Sequence, residues 1–205
     1  MTPLRLLVYD RTCVNPAGVG LSNAWRAGAH LYRSLGRLDA CFGASSWSEA
    51  LGFVRDTARR LERPIQQIQY WGHGRRGRAL IDRDVLDRHA LGSSLRPLLD
   101  EIRALCTRID DEPLLWFRTC ESLGGHSGHD FAHALGEYFG RSIAGHTYVI
   151  GFWQSGLHSL APGKTPHWSA REGLRDDDES AVALPSSPAL PHTIQCLQGR
   201  VPPGW

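Results

Sequence analysis

The chain has 205 residues, 41% of them apolar and 21% charged, which suits one compact domain able to bury a sizeable core. Its 23 Lys and Arg against 21 Asp and Glu leave a net charge of +2, too small for a nucleic-acid-binding field, so no nucleic-acid partner is expected. Five scattered cysteines without a CxxC exclude a zinc ribbon and a disulfide scaffold. The apolar start LRLLVY is too short for a signal peptide and no run reaches membrane-span length, so a cytoplasmic protein with reduced thiols and no membrane partner is expected.

In chain order, Leu4 to Tyr9 reads as a strand, followed by a Gly/Pro-bearing loop over 11–20. Ala24 to Leu35 has the i, i+4, i+7 apolar spacing of a helix, with Trp25, Ala29 and Tyr32 on one face. Leu38 to Phe42 is a weak strand. Ser46-Trp47-Ser48-Glu49 is a capping box for a helix whose face is Trp47, Leu51, Val54, Ala58 and Leu61 and which Pro64 stops. IQQIQYW (65–71) is a third strand that runs straight into Gly72-His73-Gly74, and RALI (78–81) is a short edge strand. A helix after Ser94 buries Leu95, Leu98, Leu99, Ile102 and Leu105. LLWF (114–117) is a fourth strand ending at Arg118-Thr119-Cys120, and 121–129 reads as a Gly/Ser/His loop. Phe131, Leu135, Tyr138 and Phe139 mark a fourth helix, and Ile143 to Trp153 holds a fifth strand, expected around Thr147–Phe152.

Strands alternating with helices predict an α/β fold: a three-layer sandwich on a mostly parallel sheet of about five to six strands over residues 1–153. From about 154 the character changes. Seven prolines fall between 162 and 203, beside the acidic run Asp176-Asp177-Asp178-Glu179. Residues 154–205 are expected to be irregular, peripheral to the sheet, and packed on or near the cleft.

Ligands of an open parallel sheet sit beyond the carboxyl ends of its strands. His73 and Cys120 both fall at such ends. If the third and fourth strands are neighbours, an imidazole and a thiol emerge side by side, the arrangement thiol catalysis needs. The Gly74 and Cys120 amides are candidates for an oxyanion hole. Cys13, Cys41, Cys106 and Cys196 read instead as ordinary small core residues.

The segments IQQIQYWGHGRRG and PLLWFRTCESLGGHSGHDFAHALGEYFG resemble the caspase-like (clan CD) cysteine peptidases, in which one apolar strand ends in His-Gly and a later one ends in the catalytic Cys. The separation of 47 residues is near the roughly 50 of caspases. The closest flavours are the self-processing protease domains of large bacterial toxins and a bacterial caspase-like domain of unknown function; Gly128-His129-Asp130-Phe131 supplies the latter's Gly-x-x-Phe. The resemblance covers about 4–152. It implies a cysteine endopeptidase with His73 as general base and Cys120 as nucleophile, acting on a protein or peptide substrate without a metal or other cofactor. The caspase QAC[RQG]G is absent, and Glu121 beside the nucleophile tends to raise its pKa. Arg75, Arg76 and Trp153 are the candidates for substrate contact, and control by a regulatory partner or an anionic activator is expected.

Other signals compete. Gly72-x-Gly74-x-x-Gly77 follows a strand as a dinucleotide fingerprint does, but no good helix opens there and the acids come too early. His126, His129 and His133 raise a metal-dependent hydrolase as an alternative, although Asp130 is not the Glu of HExxH. A non-catalytic caspase-like binding module is the other alternative.

Overall fold

The structure, a computed structural model, describes residues 2–107, 112–175 and 182–205. In chain order its elements are β1 (Leu4–Asp10), α1 (Leu21–Ser34), β2 (Ala40–Ala44), α2 (Trp47–Leu61), β3 (Ile65–Trp71), β4 (His73–Arg75), β5 (Arg78–Ile81), β6 (Asp84–Asp87), α3 (Arg96–Leu105), β7 (Leu115–Arg118), α4 (Gly125–Phe139), β8 (Ile143–His146), β9 (Trp153–Gln154), β10 (Leu157–Leu160) and β11 (Ile194–Gln195). Six strands form the central sheet in the order β10-β8-β7-β3-β1-β2. All its pairs are parallel except β10 with β8.

Strand periodicity sorts the sheet residues into two cores. Leu6 and Val8 of β1, Ile68 and Tyr70 of β3, and Leu115 and Phe117 of β7 pack with the apolar stripes of α2, α3 and α4. Leu7 and Trp71 face the other way, against Ala29 and Tyr32 of α1. Beside them Trp116, Ala144 and Leu157 lie under Ile194 and Val201 of the C-terminal segment. The 154–205 segment is therefore not peripheral. It supplies the sixth strand, β10, and its last residues complete the layer that α1 begins. The acidic run at 176–179 lies outside the described residues.

Local signals act as their chemistry requires. Ser46 caps α2 by accepting the Glu49 N–H at 3.2 Å. The Glu49 carboxylate reaches back to Ser45 instead of Ser46, accepting its N–H and its hydroxyl, each at 2.7 Å. Such a cap contributes about 1 kcal/mol. Of the boundaries that differ from the sequence reading, two bear on the site. Within the expected segment Ile143–Trp153 the fifth strand is Ile143–His146 and not 147–152, because IAGH is the run buried on both faces beside β7. The loop expected over 121–129 gives way at Gly125 to α4, so His126 and His129 stand in its first turns.

Candidate active site

β3 and β7 are neighbours, and their last residues, Trp71 and Arg118, are paired. His73 and Cys120 each stand two residues beyond that pair. The sequence of β3 explains how its end is fixed. Gln67, Gln69 and Trp71 share one face, where the Trp71 indole N–H donates to Gln69 Oε1 (3.1 Å) and Gln69 Nε2 donates to Gln67 Oε1 (2.9 Å). Buried amides in a parallel strand are tolerated because they satisfy each other.

β4 begins at His73 and opens a small antiparallel sheet, β4-β5-β6. This sheet is tied to α2 by the Trp47 indole N–H, which donates to the Ala79 carbonyl (3.2 Å). A Cβ placed on Gly74 would fall 2.5 Å from Thr119 Oγ1 and 2.7 Å from the Cys120 carbonyl oxygen, so only a glycine lets the His73 strand lie against the Cys120 turn. The Trp25 indole of α1 meets the His73 ring edge-on, with centroids 5.5 Å apart.

The Cys120 turn carries backbone strain. Glu121 takes a left-handed φ of 43°, a conformation that non-glycine residues adopt at a cost of about 1–3 kcal/mol. It is held there by its N–H to the Tyr148 carbonyl (2.9 Å) and by Leu123 N–H to the His146 carbonyl (3.0 Å). The Glu121 carboxylate pairs with Arg76 at 3.2 Å, which offsets its charge beside the thiol. Burial pushes the Cys120 thiol above its ordinary pKa; backbone hydrogen bonding at Ile150 opposes this and Glu121 adds to it.

His73 and Cys120 line one cleft of about 610 Å³. Its walls are apolar: Trp25 and Tyr32 from α1, Trp71, Ile150, Phe152 and Leu197. Arg118 and Gln154 lie at its base. The Arg118 guanidinium is fully buried and every donor is used. Nε and Nη2 reach Gln154 Oε1 (3.0 and 2.8 Å), Nη1 reaches the Tyr32 hydroxyl (2.8 Å) and the Gln198 carbonyl (3.2 Å), and Nη2 also reaches the Cys196 carbonyl (2.6 Å). Three rings, Tyr32, Trp71 and Trp116, surround it at 4.7–5.6 Å. Arg118 thus ties the C-terminal segment to the sheet and has no donor left for a ligand anion.

The sequence reading missed Cys13. Its thiol is 3.1 Å from His73 Nε2, whereas the hydrogen-bond contact of Cys120 Sγ is a 4.0 Å approach to the Ile150 carbonyl. No hydrogen bond joins His73 to Cys120 among the described residues. The available signal was positional: Cys13 follows the end of β1, the other neighbour of β3, much as Cys120 follows β7. Cys41, Cys106 and Cys196 are half-buried, and all five thiols are free.

Three substrate-contact candidates stand elsewhere. Arg75 is exposed on β4 and Arg76 pairs with Glu121; neither lines the cleft. Trp153 is replaced at the wall by Phe152 and Gln154, because alternate residues of a strand point to opposite sides. Among the described residues no three His, Cys, Asp or Glu side chains converge as metal ligands, so His126, His129 and the exposed His133 do not assemble the alternative metal centre. No helix among them is long and apolar enough to cross a membrane. No family model matches the chain, and comparison with curated proteins and with solved structures finds no match either.

Proposed function

We propose that the protein is a cysteine endopeptidase, with Cys120 as nucleophile and His73 as general base. The observation that carries this reading is the paired end of β3 and β7, which sends an imidazole and a thiol, at equal offsets, into one open cleft. The resemblance of the two strand-end motifs to caspase-like peptidases supports it from the sequence side.

His73 takes the thiol proton as Cys120 Sγ attacks the peptide carbonyl carbon. The resulting oxyanion falls to the Gly74 and Cys120 amides, on backbones that touch. Collapse breaks the C–N bond, and His73 passes its proton to the leaving amine. The imidazole then deprotonates a water molecule that hydrolyses the thioester. The apolar walls favour a bulky apolar side chain before the scissile bond, since a charged one would be desolvated there without a partner.

A second reading, a binding module using the same cleft without chemistry, is favoured by the burial of Cys120, which raises the pKa of its thiol and so disfavours the thiolate. A peptide-library cleavage assay separates the two. Wild type cleaves, while Cys120→Ala and His73→Ala fall by about 10³-fold or more with unchanged circular dichroism. Cleavage that survives Cys120→Ala ends the peptidase reading.

A further inference from the structure

We propose that Cys13 is a positioning residue of this site, holding the His73 imidazole away from Cys120 in the resting chain; the inference rests on the peptidase reading above. Three consecutive strands of the sheet carry the argument. β1, β3 and β7 lie side by side, with Tyr9 opposite Trp71 and Trp71 opposite Arg118. Beyond these ends come Cys13, His73 and Cys120, so the imidazole is flanked by a thiol from each neighbouring strand.

The thiol in contact with the ring is Cys13, at 3.1 Å from Nε2. A neutral imidazole has one basic nitrogen, so it accepts a proton from one thiol at a time. If the Cys13 proton moves to the ring, the resulting imidazolium is no longer a base for Cys120. If Nε2 instead donates to the sulfur, the basic nitrogen is Nδ1, and the contact acts by holding the ring on the Cys13 side. In each case the contact must open before the ring can turn to Cys120.

The placement of Cys13 is built into its loop. Asp10 Oδ1 accepts both the N–H and the hydroxyl of Thr12 (2.8 and 2.6 Å), turning the chain directly after β1. The Cys13 carbonyl accepts the Ser22 N–H (3.3 Å), and the Ser22 hydroxyl donates to the Asp10 carbonyl (2.8 Å). Gly20 closes the loop so tightly that a Cβ there would fall 2.1 Å from the Cys13 carbonyl oxygen. Farther along, Val14, Val19 and Leu21 are exposed, and Leu21 lines the apolar cleft, where an apolar substrate can engage the loop and draw Cys13 off the ring.

The test is the rate of iodoacetamide alkylation at each cysteine of the full chain, read by peptide mass spectrometry at pH 7. In Cys13→Ala, alkylation of Cys120 rises by about fivefold or more, with Cys41 and Cys106 unchanged. The gain disappears in the Cys13→Ala/His73→Ala double variant, a result that simple loosening of the loop would not give. Cys13→Ser, whose hydroxyl still bonds the ring, keeps Cys120 slow. A Cys120 rate within about twofold of wild type in Cys13→Ala, or below it, overturns the inference. Loss of peptide cleavage in Cys120→Ala without that gain removes the inference and leaves the peptidase reading standing. The gain without Cys120-dependent cleavage removes the peptidase reading and leaves Cys13 only as a brake on thiol reactivity, with no catalytic role.

Discussion

Trp71 faces Arg118 at the paired ends of β3 and β7, and the guanidinium carbon of Arg118 lies 5.1 Å from the Trp71 ring centroid. This contact sets two things at once. It fixes the level at which His73 and Cys120 leave the sheet, and it spends a buried cation of the cleft on aromatic rings, an amide and backbone carbonyls. Among the described residues that line the cleft, no Asp, Glu, Lys or further Arg offers a charge to pair with a substrate side chain.

The first prediction follows from that saturation. Peptides with Leu, Met or Phe before the scissile bond are cut about 10–100-fold faster than those with Asp or Lys, measured as kcat/KM on internally quenched peptides. Phe152 is 55% exposed, so Phe152→Asp leaves stability within about 0.5 kcal/mol while shrinking the Leu-over-Lys ratio. A wild-type preference for Asp would sink the apolar assignment.

Arg118 is expected to matter more for stability than for recognition. Arg118→Ala strips donors from Gln154, Tyr32 and the carbonyls of Cys196 and Gln198, all in or beside the C-terminal layer. Leaving buried Gln154 Oε1 without its donors, and the two carbonyls with the Tyr32 hydroxyl alone, costs about 2–4 kcal/mol, read from urea denaturation. Limited proteolysis should reach 194–205 sooner in the variant. A loss below about 1 kcal/mol would show that the guanidinium is not the clamp.

His146 makes the fold sensitive to acid. It is fully buried at the end of β8, its Nδ1 3.1 Å from the Ser155 carbonyl, and burial drives its pKa down to about 3. In the unfolded chain a histidine titrates near 6.5. Between those values the unfolded state holds a proton that the folded state does not, so stability falls as pH drops from about 6.5 toward 3. From pH 7 to pH 5 the wild type should lose up to about 2 kcal/mol more than His146→Gln, measured from urea midpoints. Equal losses would place the acid sensitivity elsewhere, with the nearby His167 and His192, whose pKa values burial also lowers, the next to examine.

Much of the scaffold was legible in the chain. IQQIQYW and LLWF alternate or fill as buried strands must, and the stripe Phe131, Leu135, Tyr138 and Phe139 has helical spacing and is buried throughout. Ser46 and Glu49 announced their helix because a cap needs only neighbours a few residues apart. The β10 strand was not legible, because LHSL is short and gains its strand identity only from pairing with β8. Nor was the covering role of 194–205, whose prolines and glycines suggest a tail and whose packing depends on Arg118, some 80 residues earlier.

The sequence by itself determined which residues alternate, which cap, and that His73 and Cys120 each close an apolar strand, since these depend on spacing along the backbone. Only the tertiary structure decided that β1, β3 and β7 are adjacent and that Cys13 therefore reaches the imidazole. It also turned Trp153 away from the cleft in favour of Phe152. The physical reason is that sheet order and side-chain facing are set by which surfaces bury each other, and that competition is settled between segments far apart in the chain.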